Sequence, residues 1–165
     1  MKPIPENPTV AILGGAGEMG RTAVAIVSKF KQIGELIVAD ANEEEAKGVV
    51  SRNLKSSKTR MGAQFVDVTD SNQLHSFLSD VTIVLNTVGP FYKYGVDVLS
   101  AAIASGCHYI DICDDWEPTI EMMDLDQDAR LNDVLAIIGM GASPGISNLL
   151  ACLVCEELET VEDLF

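Results

Sequence analysis

Short apolar runs alternate with helical patterns along the whole chain. Val10-Ala11-Ile12-Leu13-Gly14 reads as a buried strand, and Ala23, Ile26, Val27 and Phe30, spaced i, i+3, i+4, i+7, line one face of a following helix. Leu36-Ile37-Val38-Ala39-Asp40 is a second run, with its β-branched residues in the middle, and the stretch from Glu43 to Lys55 after it is polar and weakly helical. Ala63 to Val68 is a third strand candidate; Thr69-Asp70-Ser71-Asn72 then supplies capping side chains for a helix around Leu74 to Leu78. Val81 to Val88 is a fourth strand, followed by a helix near Val96, Leu99 and Ile103. His108 to Cys113 is a fifth, followed by a polar helical stretch from about Glu117 to Leu131. Val134 to Gly139 is a sixth, and a last helical segment runs from Ile146 to about Leu158. Strands separated by crossovers of helical length demand a parallel sheet with helices on both faces that bury every strand. The fold class expected is therefore α/β, a doubly wound, six-stranded parallel sheet.

Composition changes this picture little. With 165 residues and 47% hydrophobic content, the chain has the makings of one domain with one core. Its formal net charge of −14 repels phosphate backbones and anionic surfaces, so neither nucleic acid nor a membrane is an expected partner. The first residues, Met1-Lys2-Pro3-Ile4-Pro5-Glu6-Asn7-Pro8, are broken by prolines before an apolar run develops, so no secretory signal is read and a cytoplasmic location is expected. Cys107, Cys113, Cys152 and Cys155 are read as buried, reduced thiols. Cys152 and Cys155 form a C-x-x-C, but within a helical segment and without a second Cys or His pair, so no metal site is expected.

The strongest chemical signal is Gly15-Ala16-Gly17-Glu18-Met19-Gly20, a G-x-G-x-x-G placed after a strand and opening a helix. The first glycine would permit the tight turn, the second would let a pyrophosphate approach the backbone, and the third would let helix and strand pack closely. N–H groups at the helix start would hold the phosphates. Asp40 ends the second strand about twenty residues on, where an acid accepts hydrogen bonds from the adenosine ribose. The same carboxylate would repel a 2′-phosphate, and Ala41, Asn42 and Glu43 bring no Arg, so NAD is favoured over NADP. With the strand order 3-2-1-4-5-6, Asp67 and Val68 would lie along the adenine rim, unless Asp67 only forms a turn. Asn86, Thr87, Val88 and Gly89 would line the switch crevice, where the second half of the dinucleotide runs, although Gly89 and Pro90 would also stop a strand.

Three further segments stand in order behind the glycine turn. Gly89-Pro90-Phe91-Tyr92 with Gly95, Gly106-Cys107-His108-Tyr109-Ile110-Asp111, and Gly141-Ala142-Ser143-Pro144-Gly145 with Asn148 resemble the successive signatures of the saccharopine dehydrogenase family, and the likeness spans essentially the entire chain. The resemblance implies an NAD(P)-binding Rossmann domain followed by a second α/β domain that completes the substrate pocket, often in a homodimer. It implies hydride transfer at a C–N bond, with a small amino-acid-derived substrate: oxidation of a secondary amine joining an amino acid to a keto acid, or the reverse imine reduction. Tyr92 and Asp111 are the candidates for placing substrate or moving its proton. Tyr92 could instead pack beside Phe91, and Asp111 could instead bond nearby backbone.

Weaker features have plainer readings. His108 begins its strand on the side opposite the crevice and is expected to be structural. Asp111, Asp114, Asp115 and Glu117 lack the loop geometry of a calcium site, so a solvated turn with Asp capping the next helix is expected. Ser143-Pro144-Gly145 would open the final helix. Two other function classes remain open: a non-enzymatic dinucleotide sensor, like the regulatory domains of potassium transporters, and a relative that has lost catalysis and serves as a scaffold. The sensor class is not expected to carry Gly-Pro-Phe-Tyr after the fourth strand or Ser-Pro-Gly after the sixth.

Overall fold

The computed structural model describes residues 2–163. In chain order its elements are β1 (Thr9–Leu13), α1 (Glu18–Val27), β2 (Glu35–Asp40), α2 (Glu43–Asn53), β3 (Arg60–Phe65), α3 (Ser71–Ser79), β4 (Ile83–Asn86), α4 (Phe91–Ala104), β5 (His108–Asp111), α5 (Trp116–Met123), α6 (Asp126–Leu131), β6 (Ala136–Ile137) and α7 (Ser147–Glu156). The six strands form one sheet in the order β3-β2-β1-β4-β5-β6, parallel throughout. The order reverses between β1 and β4, which opens a crevice at their carboxyl ends.

Two cores follow from the alternation of side chains along each strand. Val10, Ile12, Leu36 and Val38 meet Val24 of α1 and Ala46, Val49 and Val50 of α2 on one face. Ala11, Leu13, Val84 and Tyr109 meet α3, α4, α5 and α6 on the other. Gly95 lets α4 and α5 close up, because a Cβ there would run into Met122 Cε. Asp70 caps α3 by accepting from the N–H groups of Asn72 and Gln73, as the sequence implied.

Several expectations are corrected. The inner face of α1 is Gly20 and Val24, while Ile26 and Phe30 are exposed and the helix ends at Val27. Seating Gly20 against the glycine turn sets the helix's rotation and carries Ile26 outward. The strands are not all buried: β3 exposes Arg60, Gln64 and Phe65 at one sheet edge, and β6 is two residues long at the other. The helical stretch after β5 is two helices, α5 and α6, and the side chain of Asp115 makes no cap bond to the first. A kinked turn over Ala142–Ile146, with Ser143 extended, leads into α7. Cys107 and Cys113 are buried as expected, but Cys152 is exposed and Cys155 only half-buried, because α7 leaves Leu149, Leu150, Leu153 and Val154 each more than half uncovered. Among the described residues, no helix is long and apolar enough to cross a membrane.

Candidate functional site

The glycine turn divides its work differently from the sequence reading. The left-handed residue is Gly14, at φ +72°, and a Cβ there would lie 3.1 Å from Thr87. The tight turn assigned to Gly15 therefore belongs one residue earlier. Gly15 is needed instead for close approach to β2, since its Cβ would come within 2.7 Å of Val38 Cγ1. Gly20 lies under the turn, where a Cβ would collide with the Gly14 carbonyl oxygen. Gly17 differs from both, because a Cβ there would meet only that oxygen, at 3.1 Å, and otherwise open space.

The turn's own amides are mostly committed. Gly15 N–H donates to Ala39 O at 3.1 Å, Gly17 N–H to Gly14 O at 2.9 Å, and Ala16 N–H to Asp40 Oδ2 at 2.9 Å. Gly17 caps α1 without a side-chain bond, so the first-turn amides of Glu18, Met19 and Gly20 have no capping side chain; Gly17, Glu18 and Met19 are exposed and Gly20 is buried. With the positive end of the helix dipole behind them, these amides make an anion cradle beside an open Gly17.

Asp40 is more than a solvated strand-end acid. Its Oδ2 holds Ala16 and its Oδ1 accepts the Asn42 N–H at 2.9 Å, so it locks the glycine turn to the end of β2. Each oxygen keeps a second lone-pair direction for a ribose hydroxyl. Around it the charge is negative, with Glu43, Glu44 and Glu45 in the first turn of α2. Arg21 of α1 is paired with Glu45 Oε2 at 2.9 Å.

Asp67 follows β3 as an Asx turn, its Oδ1 accepting from the Thr69 hydroxyl at 2.7 Å and the Thr69 N–H at 2.9 Å. These bonds, the hydroxyl's first, hold its carboxyl below the usual range. Val68 beside it is half-buried. Thr87 clamps the glycine turn from β4, its hydroxyl donating to Leu13 O at 2.7 Å and its N–H to the same oxygen at 2.9 Å. Asn86 is fully buried and bonds Tyr109 and Val88; Gly89 is exposed and unobstructed at the crevice mouth.

The two residues considered for proton handling sit in opposite surroundings. Tyr92, in the first turn of α4, is 71% exposed, while Phe91 beside it is buried, so Tyr92 is not a packing aromatic. Asp111 is fully buried, and its Oδ1 accepts the Gly139 N–H at 2.7 Å and the Cys113 N–H at 3.0 Å. His108 is buried at the opposite ends of the strands, its Nδ1 accepting from Leu135 N–H at 3.0 Å and its Nε2 3.2 Å from Lys2 O, a structural arrangement. A cavity of about 740 Å³ between α4, α5, α6 and β6 shares no residue with the crevice. Among the described residues, no group of three His, Cys, Asp or Glu side chains could hold a metal ion.

The model of the family described as "Saccharopine dehydrogenase NADP binding domain" matches residues 10–137. The chain belongs to this family. The domain is one that binds a nicotinamide dinucleotide in saccharopine dehydrogenase-like oxidoreductases, the description that two of the curated relatives carry. A "Lipid droplet localized protein" of Caenorhabditis elegans is 31% identical over 108 residues, covering 62% of this chain and 25% of that protein. A "Probable mitochondrial saccharopine dehydrogenase-like oxidoreductase" of Arabidopsis thaliana is 28% identical over 137 residues, covering 78% and 30%. The chain thus spans about a quarter to a third of the curated relatives it matches. The apo saccharopine dehydrogenase (L-Glu forming) of Saccharomyces cerevisiae superposes with a TM-score of 0.71 over 92% of this chain and 31% of that one, at 20% identity. That likeness is one of fold.

Gly14 and Tyr109 are site residues that were not expected from the sequence. The Gly14-Gly15 pair directly after an apolar run was a signal for the first. For the second, the signal was two polar side chains at i and i+2 of a strand otherwise fit for burial.

Proposed function

We propose that this chain is the cofactor-binding part of an oxidoreductase that acts at the C–N bond of a small amino-acid-derived substrate, and that it takes NAD in preference to NADP. The observation that carries the reading is the open Gly17 cradle beside uncapped first-turn amides, with the Asp40 carboxylate locked to the same turn. In it, the amides of Glu18, Met19 and Gly20 would receive the pyrophosphate and Asp40 the adenosine ribose. Gly15 and Ala16 hold the turn's shape, and Asp67 and Val68 border the adenine side. Asn86, Thr87, Val88 and Gly89 shape the floor beneath the nicotinamide side. The dinucleotide supplies the hydride acceptor or donor when bound.

The chain's own part is to bind, orient and manage a proton. Tyr92, exposed in the first turn of α4, would meet a substrate at the crevice lip and exchange a proton through its hydroxyl. Asp111, sealed under the loops after β5 and β6, acts by holding those loops. The rest of the pocket is proposed to come from a second α/β domain, in a homodimer. The family's description names NADP, but the local charge argues for NAD. A 2′-phosphate would meet Asp40 and three glutamates, and it would have to compete with Glu45 for Arg21.

Asp40→Ala tests both parts. NAD affinity should fall by about 1.5–3 kcal/mol through loss of charge-assisted hydrogen bonds, and NADP affinity by less, which narrows the preference. Unchanged NAD affinity in a folded variant, or a wild-type chain that prefers NADP, overturns the assignment.

A further inference from the structure

Three polar side chains in β4 and β5 are fully buried where apolar ones would pack at less cost: Asn86 and Asp111 at the carboxyl ends of their strands, and Tyr109 nearer the start of β5. Asn86 and Asp111 are direct partners in the parallel register, and Tyr109, two residues before Asp111, lies on the same face of the sheet. Asn86 Nδ2 donates to the Tyr109 hydroxyl at 3.0 Å, and Asn86 Oδ1 accepts the Val88 N–H at 3.0 Å. Across the network, Asp111 Oδ1 holds Gly139 and Cys113, while Asp111 Oδ2 is buried with no hydrogen-bond partner among the described residues.

The hydrogen count closes in one way. The Tyr109 hydroxyl accepts from Asn86 and still has one hydrogen to donate. Among the described residues, the buried acceptor left unmatched is Asp111 Oδ2, and the Asp111 carboxylate is near enough to act on the phenol. Burial first, and then the neighbouring Asp111 charge, hold the phenol well above its ordinary range, so that hydrogen stays on the oxygen at every physiological pH.

We propose that Tyr109 is a positioning residue for the nicotinamide side of the crevice: its hydroxyl joins Asn86 to Asp111 and so fixes the turn after β4, at Val88, relative to the turn after β6, at Gly139. The proposal rests on the cofactor reading above. Among the described residues, no side chain of Asn86, Tyr109 or Asp111 bonds the glycine turn or Asp40, which build the adenosine side; Thr87 holds that turn through its own hydroxyl and N–H. Tyr109 should therefore matter for the whole dinucleotide and not for its adenosine half, a split that general destabilisation would not produce.

The test is calorimetric titration of the wild-type chain and of Tyr109→Phe, which keeps the ring and removes only the hydroxyl, with ADP and with NADH. The variant should bind ADP as the wild type does and NADH about three- to tenfold more weakly, the effect of one lost buried hydrogen bond. Unchanged NADH binding overturns the proposal, and so does an equal loss for both ligands. A wild-type chain that binds NADH no tighter than ADP also overturns it, since the crevice then holds nothing beyond the adenosine half. A folded wild-type chain that binds neither ligand refutes the cofactor reading itself and takes the proposal with it. Should Tyr109→Phe fail to fold, amide resonances of the wild-type chain decide: NADH should shift Val88 and Gly139 together and ADP neither, and NADH shifting neither overturns the proposal.

Discussion

Gly17→Ala should separate folding from cofactor binding. Gly17 has φ −69° and ψ 173°, a conformation alanine adopts freely, and its new Cβ would meet only the Gly14 carbonyl oxygen at 3.1 Å. Alanine at a helix N-cap in place of glycine costs about 0.5–1 kcal/mol. Restricting the unfolded chain returns about 0.4–1 kcal/mol. The net change should lie within about 1 kcal/mol, or about 2–4 °C in midpoint for a domain of this size. Binding should suffer far more, because the methyl group fills the space through which a pyrophosphate reaches the amides of Glu18 to Gly20; a loss of tenfold or more, about 1.4 kcal/mol, is expected. Gly20→Ala should do the reverse damage. Its Cβ would strike the Gly14 carbonyl oxygen and lie 2.7 Å from Gly15 Cα, both backbone atoms that cannot turn aside. Overpacking of this kind costs about 1–3 kcal/mol or more. Thermal melts followed by circular dichroism, with NADH titrations of the folded variants, read both effects. Gly17→Ala binding NADH like the wild type, or Gly20→Ala melting with it, would refute the division of roles among the glycines.

Asp111→Ala should lower stability by about 2–4 kcal/mol, because the Gly139 and Cys113 amides lose a buried acceptor; urea denaturation measures it, and a loss under 1 kcal/mol contradicts the structural role given to this carboxylate. Burial pushes the Cys107 thiol up to about 12 from 9.0. A group whose folded pKa is raised keeps its proton in the native state while the unfolded chain releases it. The contribution of this thiol to stability should therefore be intact below pH 9 and be lost progressively between about pH 9 and 12, and Cys107→Ala should flatten that fall. The same burial predicts that at pH 8 a thiol reagent modifies Cys152 rapidly and Cys107 only on unfolding, which mass mapping of a labelling time course would show.

The sheet order was legible because six apolar runs separated by helical crossovers leave few handed topologies, and the glycine turn with Asp40 marked where the chain reverses. Capping of α3 by Asp70 was legible because the cap is a local event. The misread features depend on tertiary contact. Spacing alone allowed Ile26 and Phe30 as the inner face of α1, and only the contact of Gly20 with Gly14 and Gly15 sets the rotation. The G-x-G-x-x-G template begins at Gly15, which hid the positive φ of Gly14. Cys152 read as buried because its neighbours are apolar, yet α7 has no partner layer among the described residues. The Asn86–Tyr109 bond joins residues 23 positions apart and becomes visible only once the β4–β5 register is known.

Calorimetric titration of the chain with NAD and, separately, with NADP, alongside a melt that shows the chain folded, decides whether the glycine turn and Asp40 bind a dinucleotide. Saturable binding of NAD at one site, with NADP weaker, is expected. A folded chain that binds neither nucleotide would overturn that assignment.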